Sequence, residues 1–269
     1  MRNQLRRFLP VVVLAVACIY TYKEVATETY TYPAAAITAL SAATENGAVS
    51  VSADADTLIT VAVEKYAYGR DKADAEKAIA NVVYDDTVVG DELRAKVEMP
   101  SGSRPYGASL TITVPDSTDL SFSTTNGDVA VASTVGNVNV ITTNGNAELT
   151  GTRGTASAST TNGSLTVSVH SGPFHGATTN GNVDCDLAAL GPFEDVELAT
   201  TNGKVTLLLP ADVSALIDAT NTNGLITIHD FTVIYETQTE HHVRARIGSG
   251  SSSVTITTTN AGITVRARS

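Results

Sequence analysis

The tetrapeptide Thr-Thr-Asn-Gly returns at a fixed interval, and that interval restricts the fold more than any other feature of the chain. Its asparagine stands at Asn126, Asn144, Asn162 and Asn180, three steps of 18 residues, and again at Asn202. A variant, NTNG, carries Asn223, and weaker relatives stand near the ends: TENG at Asn46 and TTNAG at Asn260. One short signature per period of about 20 residues marks a stack of equivalent structural repeats.

The residues around each signature alternate. Counting from the asparagine, positions −6, −4 and −2 are Val138, Val140 and Thr142 in one copy and Val196, Leu198 and Thr200 in another. Positions +3 and +5 are Ala147 and Leu149, then Leu165 and Val167, then Val183 and Cys185. Positions +2 and +4 are mostly polar, as in Asn146 and Glu148 or Asn182 and Asp184, and are expected to face solvent. A period of two with one apolar side is the signal of a strand buried on one face. Asn-Gly between two such runs is expected to supply the positive φ of a tight corner.

Two architectures fit a strand–Asn-Gly–strand unit. Asn-Gly is the strongest short hairpin signal, so one is a sandwich of β-hairpins. The other is a single-chain parallel β-solenoid, or β-helix, in which each 18-residue period is one coil. Identical residues at identical positions favour the solenoid, because stacking lets asparagine amides bond from coil to coil at the strand spacing of about 4.8 Å. The corner ladder is therefore assigned to Asn126, Asn144, Asn162, Asn180, Asn202 and Asn223. Gly136, Gly154, Gly172 and Gly191, at steps of 18, 18 and 19, mark an opposite corner. A thin interior also suits a chain with no Trp and only 5 Phe. The expected class is all-β, with eight to ten coils and one short helix.

The ends differ from the repeats. Residues 1–17 read as an export signal: Arg2, Arg6 and Arg7 precede a short apolar run, too short to span a bilayer. Cys18 follows that run directly, as in the bacterial lipoprotein signal, and is the expected lipid attachment site. Ala15 replaces the usual Leu of that signal, and Ala15-Val16-Ala17 also suits ordinary signal peptidase. Residues 18–36 are expected to be a lipidated tether running into a strand near Tyr30 and Tyr32. Residues 37–120 are expected to form an N-terminal cap and first coils, with strands at 49–51, 58–63, 93–97 and 110–114. One helix is predicted over 71–82, started by Asp71. Residues 121–269 are expected to hold the regular coils, an irregular strand pair at 232–239 and 243–247, and a last coil over 254–265.

The opening TENGAVSV, the passage VPDSTDLSFSTTNGDV and the passage VTLLLPADVSALIDATNTNGLI resemble the bacterial DUF4097 family, related to the head-GIN adhesin-type domains. The resemblance covers about residues 27–268. It implies an exported, membrane-tethered β-solenoid with adhesin-like or envelope-stress roles and no established enzymatic activity. It supplies no catalytic residue to carry over.

The residues themselves offer little chemistry. Three of the 17 basic residues lie in the signal, so 14 remain against 28 acidic ones. That balance argues against a nucleic-acid partner and against lying flat on an anionic leaflet. The outward carboxylates Asp128, Glu148 and Asp184 are one or two coils apart and read as surface charge rather than a glycosidase pair. No aromatic platform for sugar rings is evident on the repeated faces. Eight of the nine Tyr precede residue 107, where packing of the cap explains them. Thr125, Thr143, Thr161, Thr179 and Thr201 form a single outward column, not the paired array of an ice-binding face. His241 and His242 are adjacent on a strand and so point to opposite faces, which is poor for chelation. His170 and His175 flank Gly172 and read as exposed loop residues. Cys185 is expected to be a buried structural thiol, with no disulfide in the mature chain. No metal and no cofactor are expected, and the GxSxG, HExxH and P-loop motifs are absent.

The function expected is non-catalytic: a lipid-anchored envelope solenoid presenting a surface to envelope polysaccharide or another surface. The alternatives are a structural or regulatory partner of a membrane protein in envelope homeostasis and, third, a polysaccharide-degrading enzyme. Ile19 stands where inner-membrane retention uses Asp, which favours the outer membrane.

Overall fold

The computed structural model describes residues 20–54 and 57–268, so the stretch expected to be an export signal and the expected lipid site Cys18 lie outside the described residues. Among the described residues the protein is all-β with one helix, and its strands form two sheets, of 11 and 12 strands.

Strands on either side of an Asn-Gly corner never pair with each other. Asp119–Asn126 lies in the 12-stranded sheet, and Val129–Ala132, just past the corner, lies in the 11-stranded sheet. Each strand pairs in parallel with its equivalent one period on: Val138 opposite Ala156, and Ala147 opposite Leu165. This pairing rules out the hairpin sandwich. Every corner carries the chain between sheets, and one strand from each sheet makes a rung. The apolar positions of both sheets meet in one core, where Phe122 and Phe174 are the largest fully buried side chains.

At the TTNG copies the Asn-Gly corner does not use the positive φ expected of it, whereas the NTNG copy does, with Gly224 at φ 132°. Gly127, Gly145, Gly163, Gly181 and Gly203 are all outside the left-handed region. Proximity excludes a side chain instead: a Cβ on Gly163 would lie 1.9 Å from the carbonyl oxygen of Gly145, one rung away. Left-handed residues occupy the opposite corner, at Gly154 (φ 115°) and Gly172 (φ 122°). Ser133, Gly151 and Val169 add a second left-handed column there, at φ 62°, 63° and 60°.

Nine rungs result among the described residues, and their stacking order departs from chain order at both ends. The Ala39–Asn46 rung sits between the later Glu92–Glu98 rung and the Asp119–Asn126 rung. The final rung, Ser252–Thr258 and Ile263–Ala267, is inserted between the Asp195–Thr200 rung and the Ala215–Asn221 rung. Antiparallel strands close the ends. Leu58–Gly69 and Tyr22–Pro33 extend one sheet, Val83–Val89 begins the other, and His242–Ile247 with Val233–Gln238 finishes it.

The stretch 18–36, expected to be a tether, is largely a 12-residue strand, Tyr22–Pro33. Alternating side chains make it a true edge strand, and its inner face carries the tyrosines. Tyr30 stacks on Tyr84 of the other sheet with centroids 4.3 Å apart, and the Tyr32 and Tyr84 hydroxyls lie 3.1 Å apart. These rings tie the two sheets together at the N-terminal end. Lys65, only 7% exposed, pairs with Glu28 at 2.6 Å. The helix spans Lys72–Ile79, and Asp71 accepts from the Asp74 N–H at 2.9 Å as its N-cap. The Asp74 carboxyl is pulled down to about 2 by the Arg70 N–H and by the Arg104 guanidinium, which lies 3.0 Å away.

Candidate functional site

The asparagine corner is a continuous hydrogen-bonded ladder. Side-chain amides donate in one direction: Asn126 to Asn46, Asn144 to Asn126, Asn162 to Asn144, Asn180 to Asn162 and Asn202 to Asn180, all at 2.7–2.8 Å. Asn260 then donates to Asn202 at 2.7 Å, and Asn223 to Asn260 at 3.1 Å. The six asparagines assigned from the sequence are all members, but Asn202 and Asn223 are not neighbours. Asn46 and Asn260, the weaker copies, complete the series.

Two further rows brace this corner. The buried threonines at −2 donate to glycine carbonyls of the adjacent rung: Thr142 to Gly127 at 3.0 Å, Thr160 to Gly145 at 2.8 Å, Thr178 to Gly163 at 2.8 Å. The +2 side chains, expected to be plain surface, accept backbone N–H groups from the next rung. Asp128 accepts from Asn146 at 2.7 Å, Asn146 from Ser164 at 2.9 Å, and Asn182 from Lys204 at 3.0 Å. These polar groups are committed to one another, which makes the asparagine corner a structural seam.

The glycine corner is open. Three adjoining clefts of about 400, 610 and 350 Å³ follow one another across the rungs. The first two share Asn137 and Thr155, and the second and third share Ala189, so together they form one groove. Arg153 lines the middle cleft, and its exposed guanidinium has no hydrogen bond or ion pair among the described residues.

Phe193 stands between Pro192, which lines the third cleft, and Glu194, which lines the second. It is 91% exposed and holds φ at 65°. The loop around it is fixed: the Glu194 carboxylate accepts from Gly191 N–H at 2.5 Å, Ser252 donates to the Gly191 carbonyl at 2.7 Å, and Phe193 N–H donates to Ser251 at 3.3 Å. A left-handed conformation costs an L-residue about 1–2 kcal/mol, and a solvated ring returns no burial energy. Stability alone therefore gives no reason for a phenylalanine here. Sequence reading overlooked it, although the step from Asn180 to Asn202 is 22 residues rather than 18. The same tripeptide has two fates. Gly172-Pro173-Phe174 buries its ring, whereas in Gly191-Pro192-Phe193 the in-register partner of Phe174 is Val196, and the extra residues bulge out with Phe193.

His170 corrects another expectation: it is fully buried. Ser168 and Val169 form an irregularity in the strand pairing that turns the His170 ring inward, edge-on to Phe174. Its Nε2 lies 3.2 Å from the Pro173 carbonyl and its Nδ1 2.8 Å from the Thr152 hydroxyl. A carbonyl only accepts, so Nε2 carries the proton and Nδ1 accepts from Thr152. Burial holds the imidazole pKa below its usual value. His175 lies 2.8 Å from Asp195. His242 meets Asp218 at 2.9 Å while His241 meets Asn221 at 3.1 Å, so the adjacent histidines diverge. Cys185 is buried, and burial pushes its thiol upward.

The outward carboxylates are not gathered. Glu148 and Asp184 share a column with Thr166 between them, and Asp128 lies in the neighbouring column. No grouping of three metal-ligating side chains occurs among the described residues.

Stacked parallel rungs, a bonded seam on one corner and a groove on the other define an all-β repeat protein that presents a long surface. The family model Toastrack DUF4097 matches residues 26–266, and the chain belongs to that family. Solved structures with a similar course include a "putative adhesin" from Bacteroides fragilis, 11% identical with TM-score 0.45, covering 90% of this chain and 97% of its own. A "putative cell adhesion protein" from Clostridium sporogenes is 12% identical with TM-score 0.39, over 91% of this chain and 100% of its own. A "putative lipid binding protein" from Parabacteroides distasonis is 8% identical with TM-score 0.31, over 90% and 97%. No curated protein matches the chain.

Proposed function

We propose that this protein is a non-catalytic β-solenoid of the bacterial cell envelope, anchored by lipid on Cys18, that binds an extended envelope polymer along its glycine corner. The observation that carries this reading is the groove, which crosses successive rungs instead of closing into one pocket. Asp119, Asn137 and Thr155 stand one above the next at its start, at the strand spacing of about 4.8 Å. One oxygen of Asp119 accepts the Asn137 N–H and that of Asn137 the Thr155 N–H, which leaves the second Asp119 oxygen, the Asn137 amide NH2 and the Thr155 hydroxyl for a ligand. A ligand with its own repeat can engage such a row at several points, as extended ligands do on other solenoids.

Co-sedimentation with insoluble envelope polysaccharide and peptidoglycan tests this, with the supernatant assayed for released sugar. The expected result is retention without release. Release of soluble sugar would make the protein an enzyme, and absence of retention would replace the polymer with a protein partner at the membrane. Replacing Cys18 by serine is expected to move the protein from the membrane fraction to the soluble one.

A further inference from the structure

Resting on that reading, we infer that the middle of the groove is a glycan subsite for a carboxylate-bearing sugar, with Phe193 as its stacking platform and Arg153 as its anion contact. Phe193 lies between Pro192, which lines the third cleft, and Glu194, which lines the second. The ring is 91% exposed, and its loop is pinned by the Gly191, Ser251 and Ser252 bonds described above, so it is presented rigidly. A flat apolar face beside polar groups is what the C–H face of a pyranose ring requires.

Arg153 supplies the second element. It is the sole cation lining the three clefts among the described residues, in company with Glu92, Asp119, Glu194 and Asp212. A guanidinium left free among carboxylates on an acidic protein is a poor stabiliser of the fold but a selective partner for one planar anion, which it can hold through two parallel N–H bonds. The surrounding acids repel a densely charged polymer, so the fitting ligand carries its carboxylates at intervals. Two rungs separate the Arg153 turn from the Glu194 turn, roughly 10 Å at the strand spacing. That separation suits neighbouring sugars of one chain, one stacked on Phe193 and the next offering its carboxylate to Arg153. Ser171 lies between them and Thr155 beside Arg153, where their hydroxyls meet sugar hydroxyls.

The test uses the full-length protein in detergent on three supports: polygalacturonate methyl-esterified at about every second sugar (the acid), the fully methyl-esterified polymer (the ester), and whole peptidoglycan. Wild type is expected to be retained about tenfold better on the acid than on the ester. Phe193→Gly is expected to weaken retention on both about tenfold, and Arg153→Gln to abolish the preference for the acid. Both side chains are exposed, and unchanged melting of the variants excludes misfolding. Equal retention on acid and ester, or retention untouched by either substitution, overturns the subsite. If peptidoglycan retention survives both substitutions, only the subsite falls and the polymer-binding reading stands. No retention on any support overturns both.

Discussion

The side-chain amide of Asn260 donates to that of Asn202 at 2.7 Å across 58 residues of chain, and by doing so it separates Asn202 from Asn223. The last rung is thus a wedge. It pairs on one side with the Asp195–Thr200 strand and on the other with Ala215–Asn221, so the chain terminus is held between two rungs already made. The Ala39–Asn46 rung is held the same way at the opposite end.

Removal of residues 252–268 should therefore do more than shorten the stack. It leaves two strand edges facing a gap, and unpaired edges promote association. The truncated chain is expected to lose its single cooperative unfolding transition and to aggregate, as followed by circular dichroism and light scattering. A monomer that melts like the full chain would contradict the wedge.

The seam makes a graded prediction at one corner. Asn162→Ala removes two exposed ladder bonds, at about 0.5–1.5 kcal/mol each in other proteins. Gly163→Ala places a methyl group 1.9 Å from the Gly145 carbonyl oxygen and must push the rungs apart, at about 3 kcal/mol or more. Gly163→Asn is the discriminating variant. It would be mild if the corner needed a left-handed residue, and it is expected to be as damaging as Gly163→Ala in thermal unfolding.

His170 gives the fold a pH dependence. Its folded pKa is depressed below the ordinary 6.5, so the unfolded chain binds the proton more tightly. Stability from this site is complete above about pH 6.5 and is lost as pH falls from there toward the folded value. The lowered carboxyls of Glu28 and Asp74 act only in their own, more acidic range. Denaturant melts between pH 7.5 and 5 should show the decline in wild type, and His170→Gln should flatten it.

Strain at the glycine corner predicts gains. Val169 holds φ at 60° while 43% exposed, a costly conformation for a β-branched residue with little burial in return. Val169→Asn is expected to raise stability by about 1 kcal/mol, or a Tm increase of about 2–4 °C. Phe193→Gly should melt no lower than wild type, because its cost is local and its ring buries nothing.

Most of the rung was legible in the sequence, since Val138, Val140, Ala147 and Leu149 each alternate with a polar neighbour and each is buried. The asparagine ladder was legible too, because equal residues at equal spacing have only one way to stack. Its order was not. Nothing local to Asn260 distinguishes a rung added at the end from one inserted earlier, and that choice is made by pairing across 58 residues. The role of the corner glycines was misjudged for a related reason. A sequence shows a glycine's own neighbours, whereas the atom that excludes a side chain at Gly163 belongs to Gly145 on another rung. Phe193 and His170 depend on an insertion and a strand irregularity, which break the periodicity on which reading the repeats relies.

The most direct measurement is amide hydrogen exchange of the protein with and without soluble peptidoglycan fragments. Binding in the groove should protect amides around 137, 153–155, 171–173 and 189–194 while leaving the asparagine corner unchanged. Protection confined to the asparagine corner or to either end of the stack, or no protection at saturating fragment, would contradict the groove as the binding surface.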